Sequence, residues 1–185
     1  MKRTSCNGIA YLADDFTAEI SLDRYNKEFR KKEQCYNACL ACHNFGRRWG
    51  CPPFEYDTET VLSKFSTVKL FATLITPMET GLPLSRYEEF LAPERERIET
   101  MLLELEKETG GRSFGFVGKC TYCGESPCAR ISGNPCRHPD KVRPSLESFG
   151  YDIEQTLCNL FNIQLIWGKN NCMPEYLTLV CALMY

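Results

Sequence analysis

The sequence predicts an α+β domain in which a mostly antiparallel sheet carries helices on one face. Three observations predict it. Strand-like and helix-like segments alternate along the chain, the strand-like segments are short and rich in β-branched and aromatic residues, and the central segment bears an apolar stripe at helical spacing. The 185 residues suit a single domain with its own core, spanning 1–185, with cysteine-rich loops at about 35–53 and 118–140.

The elements follow in chain order. Ala18 to Leu22 reads as a short strand, and Asp23 is placed to cap a helix running through Tyr25, Phe29 and Lys32 toward Cys35. The first cysteine-rich loop follows, broken by Gly46, Gly50, Pro52 and Pro53. Asp57 to Phe65 reads as a short helix, and Val68 to Thr76 (VKLFATLIT) as a strand. Ser85 and Glu88 match a capping box. Pro93 either kinks the helix beyond it or begins a second one. Ile98, Met101, Leu102 and Leu105 form the apolar stripe, and Gly110-Gly111 ends the element. Ser113 to Val117 is expected as a strand, Asp152 to Phe161 as a helix, and Ile163–Trp167 and Tyr176–Met184 as two strands joined by a turn at 168–174. A ferredoxin-like split arrangement is the topology this order favours.

The chain holds 12 cysteines, and eight of them fall into two quartets. Cys35, Cys39, Cys42 and Cys51 are spaced C-x3-C-x2-C-x8-C. Short gaps let one backbone turn present several sulfurs to one centre, and the proline after the last cysteine also occurs in ferredoxin cysteine runs. Four thiolates suit a [4Fe–4S] cluster or a tetrahedral zinc ion, in which His43 is a possible replacement ligand. The first three cysteines also match the spacing of radical S-adenosylmethionine enzymes. Those enzymes leave one iron open, whereas Cys51 supplies a fourth thiolate here, and the chain is short for their barrel.

Cys120, Cys123, Cys128 and Cys136 form the second quartet, spaced C-x2-C-x4-C-x7-C. A C-x2-C turn followed by Gly124 is a common metal knuckle. Zinc sites usually pair such a turn with a distant second pair, so the compressed layout leans toward a cluster. His138 is near enough to be a substitute ligand, although an outer position is favoured for it. A four-thiolate site carries roughly −2 with zinc or an oxidised cluster. Basic groups nearby would offset this charge: Arg47 and Arg48 in the first loop, and Arg130, Arg137, Lys141 and Arg143 in or after the second. His43, Arg47, Arg137 and His138 are the candidates for the layer behind the ligands. Cys158 and Cys181 are expected in the core, and Cys6 and Cys172 in loops.

The formal charge of −2 gives no reason to expect nucleic acid as a partner. No apolar run reaches membrane-spanning length, and the N-terminal residues lack a secretory pattern. A cytoplasmic location, where thiols stay reduced, is therefore expected, and disulfides are the least favoured use of the cysteines. Phosphate loops, dinucleotide fingerprints and Ser–His–Asp patterns are not found. Glu88-Glu89 and Glu94-Glu96 read as a solvated helix face.

Together, several motifs resemble the cysteine-rich family known as predicted metal-binding proteins, domain of unknown function 2284. They are Cys39, Cys42 and Trp49-Gly50-Cys51-Pro52-Pro53; Cys120-x2-Cys123 continuing to Pro135-Cys136-Arg137-His138-Pro139; and Arg143 to Asp152. The resemblance covers most of the chain. It implies metal binding and supplies no reaction. The function expected is that of a metal-binding protein with two [4Fe–4S] clusters, passing electrons to a redox protein partner. The alternatives are a zinc-stabilised interaction module holding two zinc ions, and a metallochaperone or enzyme with one exchangeable ligand.

Overall fold

A computed structural model describes residues 2–4, 8–115, 118 and 120–185. Its centre is a sheet of five strands: β1 (Lys2–Thr4), β2 (Ala10–Ser21), β3 (Thr67–Pro77), β4 (Arg112–Phe114) and β5 (Leu177–Met184). The spatial order is β1-β2-β3-β5-β4, and every neighbouring pair is antiparallel. The long β2–β3 ladder runs from Tyr11 opposite Pro77 to Ser21 opposite Thr67. The antiparallel α+β expectation therefore holds. The helical connection between β2 and β3 joins two immediate neighbours, whereas a split βαβ unit would leave a strand between them.

Helices pack on both faces, where the sequence had suggested one. On the first face, α1 (Leu22–Phe29), α3 (Thr58–Leu62) and α5 (Ile153–Thr156) meet Val68, Leu70 and Ala72 of β3 and Val180, Ala182 and Met184 of β5. On the second, α4 (Tyr87–Thr109) presses Phe90, Ile98 and Leu102 onto Ile75, Leu179, Cys181 and Leu183. Alternate residues of β5 thus enter opposite cores. That explains why its sequence is an almost unbroken apolar run.

Several local expectations change. Ser21, rather than Asp23, caps α1, its hydroxyl accepting from the Arg24 amide at 3.3 Å. The helix then breaks at Arg30, and a separate helix, α2 (Lys32–Leu40), carries Cys35 and Cys39. Ser85 sits inside a 3-10 turn, Leu84–Arg86, and caps nothing; Arg86 instead pairs with Glu89 at 2.8 Å. Pro93 lies within one continuous helix. The strand expected at Ile163–Trp167 pairs with no neighbour among the described residues. Ile163 and Leu165 still pack on the first core, and the Tyr176 hydroxyl ties down the Gln164 carbonyl at 2.7 Å. The 153–156 helix continues as a π turn through Phe161, ended by Asn162 in the left-handed region. Of the expected 113–117 strand, residues 113 and 114 are paired, the pairing beginning one residue earlier at Arg112, and 116–117 lie outside the described residues.

The first core also anchors the segment leading to the first quartet. Tyr25 is fully buried and stacks on Tyr151, with ring centroids 4.4 Å apart. Its hydroxyl lies 3.0 Å from the Thr156 hydroxyl, which donates to the Asp152 carbonyl at 2.7 Å. Just beyond α1, the Lys31 amide bonds the Gly150 carbonyl at 2.7 Å, and the Asp152 amide bonds the Phe29 carbonyl at 2.9 Å. Gly150 has φ +91°, and a Cβ there would lie 3.0 Å from the Lys32 backbone, so the close crossing needs glycine. This crossing fixes the start of α2.

Tyr25→Phe keeps the ring stack and removes one buried hydroxyl whose partner still has a carbonyl to bond. It should cost about 1 kcal/mol in chemical denaturation. Tyr25→Ala should cost about 3–5 kcal/mol.

Candidate metal centres

The first quartet is split between helix and turn. Cys35 and Cys39 are four residues apart on α2 and share a helix face. The helix buries none of its residues. A turn follows, in which the Cys42 amide bonds the Cys39 carbonyl at 3.0 Å. The chain then loops back, with the Gly46 amide on the Pro52 carbonyl at 2.8 Å and the Cys51 amide on the Arg48 carbonyl at 3.0 Å. Gly46 takes a φ of +67°, which suits glycine in this return. Pro52–Pro53 is a cis peptide.

Burial and neighbouring negative charge both oppose ionisation of these thiols. Desolvation and then the Cys42 and Cys39 sulfurs push the Cys51 thiol up to about 12, against the pull of Arg48 and Arg130. Desolvation, then Asp152, Glu147 and Cys39, push Cys35 up to about 11. Desolvation, with Glu147 and Cys42, also raises Cys39.

The second quartet gathers around one recess. Cys120, Cys123, Cys128 and Cys136 all line it, together with His138. The Gly124 amide closes a turn onto the Thr121 carbonyl at 2.9 Å, and Gly124 has φ +57°. Cys128 precedes a 3-10 turn, Ala129–Ser132. The His138 amide points at the Cys136 sulfur at 3.4 Å. The Cys120 thiol is raised chiefly by desolvation, with Glu99, Cys123 and Cys136 adding to it.

The two segments are locked together. Arg130 of the second donates to the carbonyls of Arg48 (2.8 Å), Cys51 (2.6 Å) and Pro53 in the first. Its guanidinium also lies 5.0 Å from the centre of the Trp49 ring. Trp49 donates to the Asn134 carbonyl at 3.1 Å, and the Asn44 amide to the Gly118 carbonyl at 3.3 Å. Asn44 is buried and also accepts from Arg48 at 2.8 Å. Arg48 and Trp49 consequently line the recess of the second quartet.

The outer-layer expectations divide. His43 and Arg47 are exposed. Arg137 donates to the Pro127 carbonyl at 2.9 Å and braces the second loop internally. His138 borders the recess. The residues that join the loops are Arg130, Asn44 and Trp49, and no spacing rule marks them. Cys181 is buried as expected, Cys158 is exposed where the core was expected, and Cys172 is exposed, in keeping with a loop position. Cys6 lies outside the described residues.

No disulfide joins the described cysteines. Among the described residues, no three Cys, His, Asp or Glu side chains are drawn into a ready coordination shell. The donor chemistry nevertheless fits a soft metal. Crowded, desolvated thiols resist ionisation because each thiolate would repel the next, and a bound cation reverses that balance.

An antiparallel α+β sheet with two interlocked cysteine segments defines a cysteine-rich protein of the metal-binding class. The chain belongs to the family described as predicted metal-binding protein (DUF2284), whose model matches residues 23–184. No curated protein and no solved structure matches the chain. Among the described residues, no helix is long and apolar enough to cross a membrane.

Replacing Arg130 by methionine removes three carbonyl bonds while keeping much of the side-chain volume. Hydrogen exchange should quicken in both 44–53 and 128–136 while the β3 and β5 amides stay protected. Arg130→Lys should be intermediate, because an ammonium lacks the fork that reaches several carbonyls. Faster exchange in only one segment would mean that the two are not mutually supported.

Proposed function

We propose that this protein binds two [4Fe–4S] clusters and passes electrons to a partner redox protein in the cytoplasm. One observation carries the reading: two four-cysteine segments are fastened to each other by the Arg130 fork, with Trp49 and Asn44 each adding a bond. Cys35, Cys39, Cys42 and Cys51 would hold one cluster, and Cys120, Cys123, Cys128 and Cys136 the other. When bound, such clusters supply one-electron redox chemistry.

The chain's own residues do the rest. Arg130 and Arg48 place positive charge beside Cys51, which favours its thiolate. The His138 amide is aimed at the Cys136 sulfur, and hydrogen bonds to ligating sulfur raise a cluster's potential. Both segments are held by backbone bonds and prolines, so little rearrangement accompanies a change of charge. α2 exposes Tyr36 (47%) and Leu40 (51%) beside Cys39, and large exposed apolar side chains next to a redox centre suit contact with a partner protein.

Anaerobic purification should give a brown protein with broad absorption near roughly 400 nm and iron and sulfide in about equal amounts. Cys123→Ser should lose about half of both, and Cys158→Ser none. A colourless protein with two zinc ions would overturn the electron-transfer reading in favour of the zinc-stabilised module.

Metal uptake must expel protons from thiols whose affinity for them is raised. Loading of the first quartet should therefore improve as pH rises and weaken as pH falls. Competition with a chelator across neutral to mildly acidic pH, with proton release followed in weak buffer, checks the sign.

A further inference from the structure

Between the two cysteine segments and β4 lies a cleft of about 360 Å³, within the range of small-molecule sites. Three arginines line it: Arg112, Arg130 and Arg143. Arg143 is neutralised by Glu106 through contacts of 2.7 and 2.5 Å. Arg130 gives its N–H groups to carbonyls, which satisfy its hydrogen bonds and leave its charge uncancelled. Arg112 pairs with no carboxylate among the described residues, and its Nε is buried without a hydrogen-bond partner. Glu55 is the one carboxylate on the lining. Two guanidiniums against one exposed carboxylate leave the cleft positive, and a partly enclosed positive site attracts anions.

The walls are flat rings. Phe54 and Tyr56 stack with centroids 5.0 Å apart and planes 17° apart, and the Arg112 guanidinium lies 5.8 Å from the Tyr56 ring centre. Trp49 also lines it. Pro53, Pro135 and Pro144 stiffen the rim. Cys136 borders both this cleft and the recess of the second quartet.

We infer that this cleft binds a small molecule joining an oxyanion to a planar ring, the oxyanion meeting Arg112 and the ring lying against Tyr56 and Trp49. A carboxylate and a phosphate both match a guanidinium fork. The occupant would sit beside Cys136, so its binding would be felt at the second metal centre. The inference concerns the cleft itself and holds whether the metal is iron or zinc.

The test is calorimetric titration of the metal-loaded protein with benzoate, adenosine monophosphate and inorganic phosphate, with metal content measured on the same sample. At least one ring-bearing anion should bind in the millimolar range or tighter, with phosphate alone about tenfold weaker; the tighter ring-bearing probe distinguishes a carboxylate source from a nucleotide source. Arg112→Gln should weaken binding about tenfold or more, as expected for losing a charge-assisted contact, with Lys107→Gln unchanged. In a Trp167→Phe background, Trp49 is the remaining tryptophan, and its emission should change on binding. Tyr56→Ala, altering a 41% exposed side chain, serves as a second variant should Arg112→Gln fold poorly, and should also weaken the ring-bearing probes. No binding by either ring-bearing anion to protein with full metal content, or unchanged affinity in both variants, would overturn the inference without touching the metal assignment.

Discussion

The Arg130 guanidinium is the contact on which the arrangement of this protein's chemistry depends. Neither cysteine segment is a regular element packed into a core. The first is a short helix with no buried residue followed by turns, and the second is a chain of turns. One fork reaching the Arg48, Cys51 and Pro53 carbonyls, with Trp49 beneath it, turns two weak loops into one body. Arginine suits this position because its donors are planar, fixed and always charged.

The sheet supplies the frame for that body. β3 and β5 are buried on both faces, so their positions are set by two cores. The first core delivers α1 and the Gly150 crossing that starts α2, hence the first quartet. The second core holds α4, whose Glu106 accepts from Ser113 of β4 and from Arg143 just beyond the second quartet. Burial opposes ionisation of Glu106, but Arg143 and Ser113 outweigh it and hold the carboxyl below its usual range. Both cores therefore contribute to holding the two cysteine segments, which meet at Arg130.

Much of this was legible in the residues. β-branched and aromatic runs marked β3 and β5, and the Ile98–Leu105 stripe marked α4, because burial leaves a periodic trace. Helix α2 left none: it buries nothing, so its sequence, KEQCYNACL, carries no apolar face. The apolar run at 163–167 looked like a strand because packing on a core selects the same residues whether or not a neighbour supplies hydrogen bonds. Helices were expected on one face only; the nearly continuous apolar sequence of β5 was the signal of the second core. The cysteines were plain from spacing alone. Their mutual fastening was not, since Arg130 binds backbone carbonyls, and a carbonyl has no identity in a sequence. The empty charge balance around Arg112 is likewise a property of three dimensions.

If these interlocked segments are metal sites, sulfur from each of them closes around a metal. X-ray absorption at the metal edge, on protein purified anaerobically without chelators, tests this most directly. The nearest neighbours of the metal should be sulfur alone, with metal–metal scattering behind them if the metal is iron. A first shell dominated by nitrogen and oxygen would contradict it.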